Sequence, residues 1–260
     1  METHTQRESG AGDMTSQVET IAYPSPNHGT RRLPVSMLVL HYTGMESAAA
    51  ALARLCDPAA QVSAHYLVDE DGTVYGLVGE DRRAWHAGAG TWRGCSDINS
   101  ASIGIELVNP GHEWGYRDFP EAQMAALERL CHGILARHAI APRQVVGHSD
   151  IAPLRKQDPG ERFGWARLAA AGIGLFPQPA TAPGRDLGPG EAGEDVERFQ
   201  AALATWGYGL VADGRYGPET RAVVTAFQRH FHPGRCDGHA DRETRAMLNG
   251  VLAAAQHQTR

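Results

Sequence analysis

Apolar positions in the first two thirds of the chain fall into two kinds of run, one short and unbroken, the other spaced at three and four. Ser36 to Tyr42, with Met37-Leu38-Val39-Leu40 at its centre, is too short and too evenly apolar for an amphipathic helix and reads as a buried strand. Ser102 to Val108 is a second such run, interrupted by one carboxylate, Glu106, and Gln144-Val145-Val146 reads as the end of a third. Val62 to Val68 and Thr73 to Val78 alternate on either side of Asp69-Glu70-Asp71-Gly72, which predicts a hairpin about an Asp-Gly turn. Glu46 to Cys56 is rich in Ala and Leu and predicts a helix. Pro120 to His138 predicts a longer one, because Met124, Leu127, Leu130, Cys131, Ile134 and Leu135 recur at helical spacing behind a proline suited to a first turn. A short helix follows from Trp165 to Ala171. Strands interleaved with helices, plus one hairpin, predict an α/β fold with a mixed central sheet flanked by helices.

The rest of the pattern divides the chain. Residues 1–20 are polar and aperiodic and read as a disordered segment, followed by an extended stretch at Tyr23-Pro24-Ser25-Pro26-Asn27. Ala84 to Ser100 is Gly-rich, polar and aromatic, the composition of a surface loop. Phe176 to Gly193 holds four Pro and four Gly without an apolar period and reads as a linker. Beyond it, residues 194–260 predict a small, separable three-helix domain with an internal repeat. Asp213-Gly214 through Glu219-Thr220-Arg221-Ala222 is echoed by Asp237-Gly238 through Glu243-Thr244-Arg245-Ala246. In each half a turn feeds a helix start, marked by Pro218 and by Asp241, while Val196, Phe199, Leu203 and Trp206 of a preceding helix supply a shared core. The α/β domain then occupies residues 21–175.

Composition adds mainly exclusions. Hydrophobic residues at 42% and charged residues at 21% describe an ordinary globular chain, and a net charge of −6 supplies no basic field for nucleic acid. No stretch has the length and apolarity of a membrane span, and Met1 to Thr20 lacks the apolar core of an export signal. Cys56, Cys95, Cys131 and Cys236 are scattered without Cys-x-x-Cys spacing and read as free thiols. Oligomeric state is left open.

Candidate chemistry concentrates in the loop Gly147-His148-Ser149-Asp150-Ile151-Ala152-Pro153, running on to Lys156-Gln157-Asp158-Pro159-Gly160, where the prolines forbid a continuous helix. Hydrolytic zinc sites use three protein ligands and one open position. His148 and Asp158 offer two, and His41, near the end of the first buried strand, offers the third. With thirteen histidines in the chain, the alternative is that both imidazoles are simply satisfied at strand ends. Glu106 is either a desolvated general base or an outward-facing strand residue, and Lys156 either an oxyanion partner or a surface lysine. His86, with Trp85 and Trp92 nearby, is a candidate for lining a substrate groove, as are Tyr42 and Asn99, whereas His65 within a strand reads as a core histidine. Cys95 lacks an evident partner base, so a metal-free thiol hydrolase built on it or on Cys131 is a weak rival.

Six segments in order carry a resemblance: His41-Tyr42-Thr43, Val62 to Val68, Trp85-His86-Ala87-Gly88, Ser102-Ile103-Gly104-Ile105-Glu106, Val146 to Ile151 and Lys156 to Gly160. Together they closely resemble the zinc-dependent N-acetylmuramoyl-L-alanine amidases of the AmpD/AmiD type, over residues 20–175. The tail, with Asp213-Gly214-Arg215-Tyr216-Gly217-Pro218-Glu219-Thr220, resembles the helical peptidoglycan-binding domain appended to cell-wall hydrolases. The resemblance implies zinc held by His41, His148 and Asp158, Glu106 as general base and Lys156 as transition-state stabiliser. It also implies cleavage of the amide between N-acetylmuramic acid and L-alanine in peptidoglycan or muropeptides. A recognition protein that keeps the groove without the chemistry is the other reading, and the intact set of five residues argues against it.

Overall fold

A computed structural model describes residues 18–182 and 184–257. The segment expected to be disordered therefore lies almost wholly outside the described residues.

The first buried run forms β3 (Met37–Tyr42), after two short strands, β1 (Ile21–Ala22) and β2 (His28–Thr30). Helix α1 (Ala48–Leu55) follows, and Ser47 caps it by accepting from the Ala50 amide at 3.3 Å. The Asp-Gly hairpin pairs β4 (Tyr66–Val68) with β5 (Val74–Gly76) antiparallel, and Gly72 takes the positive φ of the turn. Next come β6 (Arg82–Ala84), a one-turn helix α2 (Ile98–Ala101), β7 (Ser102–Leu107) and a second one-turn helix α3 (Gly111–Trp114). The long helix α4 (Glu121–Arg137) buries Met124, Leu127, Leu130, Cys131 and Ile134 against the sheet. After β8 (Val145–Gly147) the chain makes one helical turn, α5 (His148–Ile151), and later α6 (Trp165–Ala170).

The main sheet has the order β1-β5-β4-β7-β3-β8, and every pairing in it is parallel except β4 with β5. It is therefore mixed, as the single hairpin predicts. Because side chains alternate across a strand, β3 sends Leu38 and Leu40 to the core under α4, and Met37, Val39 and His41 to the other face. Register pairs His41 with Glu106, and Leu40 with Gly147, the residue before His148. Three candidate site positions are thus set by strand pairing, or by the residue that follows it.

Two loop expectations need correction. Ala84 to Ser100 is not a surface loop: Ala84, His86, Ala87, Trp92, Ile98, Asn99 and Ser100 are buried. The loop at 147–160 begins as the helical turn α5, which stops before Pro153 as that proline requires.

The tail is helical, with α7 (Glu194–Trp206), α8 (Pro218–Phe231) and α9 (Arg242–His257). Pro218 stands at the start of α8, and Asp241 caps α9 by accepting from the Thr244 amide at 2.8 Å. The repeat reaches further back than the turns. Gln200 on α7 accepts from Gly214 N at 2.8 Å and donates to Thr220 Oγ1 at 2.8 Å, while Gln228 on α8 accepts from Gly238 N at 2.8 Å and donates to Thr244 Oγ1 at 3.1 Å. A buried glutamine on each helix thus fastens the next turn and the helix it feeds.

Segment 176–193 is laid along these helices rather than free. Leu187 and Ala240 exchange backbone hydrogen bonds at 3.0 and 2.9 Å, and Ala180 N donates to Ala246 O at 2.8 Å. Nor is the tail a detached module. One apolar core runs from Met37, Val39, Trp92 and Ile151 into Leu203, Trp206, Tyr208 and Phe231.

Candidate metal centre and active-site cavity

Strand register brings His41 and Glu106 to one side of the sheet, and α5 turns His148 back towards them. Asp158 arrives from the following loop, held by a hydrogen bond from Ser149 N to its carbonyl at 2.9 Å. The three proposed ligands converge and are buried. His41 Nδ1, His148 Nδ1 and Asp158 Oδ2 stand 3.0 Å from one another in all three pairs. Ligand atoms about 2.0–2.2 Å from one tetrahedral ion lie about 3.3–3.6 Å apart, so this triangle is a few tenths of an ångström tighter than that spacing.

The protons decide what the triangle is for. His148 Nε2 lies 2.9 Å from the Ala87 carbonyl, which only accepts, so that nitrogen carries the hydrogen. His41 Nε2 meets His86 Nδ1 at 3.0 Å, His86 Nε2 meets Ser102 Oγ at 3.1 Å, and Ser102 Oγ donates to the Ile98 carbonyl at 2.6 Å. Read back from that terminal acceptor, the chain places a hydrogen on His86 Nε2 and on His41 Nε2. Both Nδ1 atoms then present lone pairs towards a carboxylate, a donor set that could hold a metal ion. Burial, then His148, lowers the His41 imidazole to about 4, which keeps it neutral.

Glu106 sits beside this triangle with its Oε2 buried and without a hydrogen-bond partner. Burial first, then the charge of Asp158, raises its carboxyl well above the ordinary value, and Lys156 opposes the shift. Glu106, Lys156, His86, His148 and Asp158 line a cavity of about 370 Å³ together with Tyr42, His112 and Trp114. Tyr42 Oη lies 2.9 Å from His112 Nδ1, and His112 Nε2 lies 3.1 Å from Glu161, so one wall is a bonded row of side chains.

The proposed groove residues separate. Tyr42 and His86 line the cavity, and His86 in addition orients His41. Trp92 does not line it: only 1% exposed, it packs edge-on to Tyr208 and Trp206 at centroid distances of 5.2 and 6.3 Å. Asn99 does not line it either, because its Oδ1 is turned to the amides of His86 and Ala87, at 3.0 and 2.9 Å. It holds the His86 segment in place. His65 is a satisfied core histidine, accepting at Nδ1 from Gly104 N at 2.9 Å. Cys95 and Cys131 are absent from the cavity lining, and burial pushes both thiols up.

Two supporting residues, both within the segment Ser102 to Glu106, were given no role from the sequence. Ser102 terminates the imidazole chain, and a polar residue at the first position of an apolar strand was its only mark. Gly104 lets that chain exist, since a Cβ there would stand 2.4 Å from the His86 ring.

The profile of the N-acetylmuramoyl-L-alanine amidase family matches residues 31–161, and that of a peptidoglycan binding domain matches residues 192–248. The N-acetylmuramoyl-L-alanine amidase AmiD of Escherichia coli K12 is 39% identical over 231 residues, which span 84% of this chain and 82% of the relative. The solved complex of E. coli AmiD with anhydro-N-acetylmuramic acid-L-Ala-D-gamma-Glu-L-Lys matches with a TM-score of 0.75 at 36% identity, over 96% of this chain and 93% of that one. Pseudomonas aeruginosa AmpDh3 in complex with anhydromuramic pentapeptide matches with a TM-score of 0.69 at 32% identity, over 89% and 95% of the two chains.

Proposed function

Since the chain belongs to the N-acetylmuramoyl-L-alanine amidase family, we propose that His41, His148 and Asp158 hold zinc in it and that Glu106 and Lys156 carry the catalytic proton and charge. The observation that carries this reading is the set of three lone-pair atoms 3.0 Å apart, with the hydrogens of both imidazoles committed elsewhere, beside a carboxylate oxygen that has no partner. Two imidazoles and one carboxylate with an open fourth position suit hydrolytic zinc. The bond cleaved is the amide between the lactyl group of N-acetylmuramic acid, or its anhydro form, and L-alanine of the stem peptide. Support for that substrate comes from the two relatives solved with anhydromuramyl peptides.

Zinc bound there supplies Lewis acidity to a carbonyl oxygen and makes water a better nucleophile. Glu106 takes the proton from the attacking water and passes one to the leaving amine nitrogen. Its raised pKa is the direction that role needs near neutral pH. Lys156, on the same cavity wall, places an ammonium where negative charge develops on the carbonyl oxygen. His86, Ser102 and the Ala87 carbonyl keep both ligand imidazoles in the tautomer that leaves Nδ1 free. Tyr42 and His112 bound the space in which the substrate lies.

The division of labour follows: residues 21–175 hydrolyse, 176–193 connect, and 194–260 bind the wall polymer. The experiment is metal analysis of the purified chain, paired with product mass spectrometry on soluble anhydro-muropeptide and on insoluble wall. Release of free stem peptide, abolished by chelation and restored by zinc, is the expected result. An unchanged rate after complete chelation would remove zinc from the mechanism.

A further inference from the structure

The C-terminal helices touch the segments that carry two of the three ligands. Asp150, two residues after His148 and only 1% exposed, is the centre of this contact. Its Oδ1 accepts from Tyr208 Oη at 2.7 Å, and its Oδ2 accepts from His230 Nδ1 at 2.8 Å and from Gly147 N at 2.8 Å. Tyr208 follows α7 and His230 lies on α8, so a single buried carboxylate joins the wall-binding helices to the start of α5. The His230 ring is itself fixed, stacked on Trp165 at a centroid distance of 3.7 Å and an angle of 17°. Its neighbour Arg229 reaches the other ligand segment. It donates to Gln157 Oε1 at 3.0 Å, one residue before Asp158, and its Nε stands 3.8 Å from Glu161.

Consecutive residues of α8 thus hold the turn that bears His148 and the loop that bears Asp158. A wall anchor on a tether has no need of such contacts. We infer that Tyr208, His230 and Arg229 are positioning residues of the active site, so that the C-terminal domain fixes metal-site geometry in addition to binding polymer.

This rests on the zinc reading above. Buried hydrogen bonds of this kind restrict how far α5 tilts, and tilt moves His148 Nδ1 off the triangle. Side chains hydrogen-bonded directly to a ligand typically change metal affinity or activity about 10–100-fold when lost, and Tyr208 and His230 act one bond further out, through Asp150 and the Gly147 amide.

The test uses the full chain and three variants: Tyr208→Phe, which deletes one hydroxyl, His230→Gln, and Leu210→Ala as a control within the same core that offers Asp150 no hydrogen bond. Zinc affinity is measured by chelator competition at a temperature where each variant is fully folded. The absorption spectrum of the cobalt-substituted protein reports ligand geometry directly. Tyr208→Phe and His230→Gln should weaken zinc binding about tenfold and shift the cobalt spectrum. They should also lower kcat more than they raise KM. Leu210→Ala should lower only the melting temperature. If the two positioning variants leave affinity and spectrum unchanged, or move them no more than Leu210→Ala does, the inference is wrong. Absence of zinc from the wild-type chain itself would instead overturn the reading it rests on.

Discussion

His41 and Glu106 are register partners on adjacent parallel strands, so the proposed ligand and the proposed base project from one face of the sheet side by side. Neither can move without its strand. Their roles nonetheless separate by mutation. Glu106→Gln should keep zinc at wild-type stoichiometry and lose about 10²–10⁴-fold in turnover, because it removes the proton acceptor alone. Asp158→Ala should lose zinc and activity together, with the site reduced to two protein ligands. Zinc content measured beside turnover on a defined muropeptide separates the two. Wild-type turnover in Glu106→Gln would mean that another group serves as base.

Lys156→Ala should retain zinc and change KM little while kcat falls, since the ammonium acts as the oxyanion forms. Steady-state kinetics on a soluble muropeptide give the split. A pure KM effect would make Lys156 a ground-state binding residue.

His86 hydrogen-bonds to one of the three proposed ligands, His41. His86→Ala should therefore weaken zinc affinity about 10–100-fold without removing a ligand. Gly104→Ala should do the same from the opposite side, because its methyl group would meet the His86 ring. Overpacking of this kind typically costs about 1–3 kcal/mol of stability as well. Chelator competition and thermal melts on both variants test the pair.

Legibility in the sequence followed the range of the interaction. β3, β7, the Asp-Gly hairpin, α4 and the convergence of His41, His148 and Asp158 were readable because each leaves a local mark, an apolar run, a helical period or a short motif. β1, β2 and β6 were not, since strands of two or three residues are defined by partners about fifty residues away. Trp92 was misread for the same reason. An indole in a Gly-rich stretch reads as exposed until Trp206 and Tyr208 arrive to cover it. Asp150 stood inside a quoted motif without a role, because both of its side-chain donors lie beyond residue 200.

Acid should destabilise the fold through His65. Burial first, then the Arg31 guanidinium, depresses its imidazole to about 4, against 6.5 for the free side chain, and the Arg82 carbonyl offsets this only in part. A depressed folded-state pKa means the stabilising contribution is full above the unfolded value. It is lost as pH falls from about 6.5 through about 4, and amounts to about 3 kcal/mol at most. Urea titrations from pH 7 to pH 4 should show a shallower decline in His65→Gln than in wild type. Parallel curves would assign the acid sensitivity to other groups.

Removing residues 192–260 should do more than release the enzyme from the wall. It uncovers Trp92 and the face of Trp165 on which His230 stacks, so the remainder should melt lower and aggregate. Activity on soluble muropeptides should fall as well. Full activity on small substrates, with a normal melting curve, would show that the catalytic domain stands alone.

The proposed ligand trio would also set when metal can be captured. His148 and Asp158 are 10 positions apart, but His41 lies 107 positions from His148, and only completed pairing of β8 beside β3 closes that gap. An unfolded or half-formed chain offers zinc two nearby donors and a weak grip. Tight capture therefore follows the slow, non-local step of folding rather than guiding it. An ion bound there would act as a latch, adding stability in proportion to its occupancy once the sheet has formed.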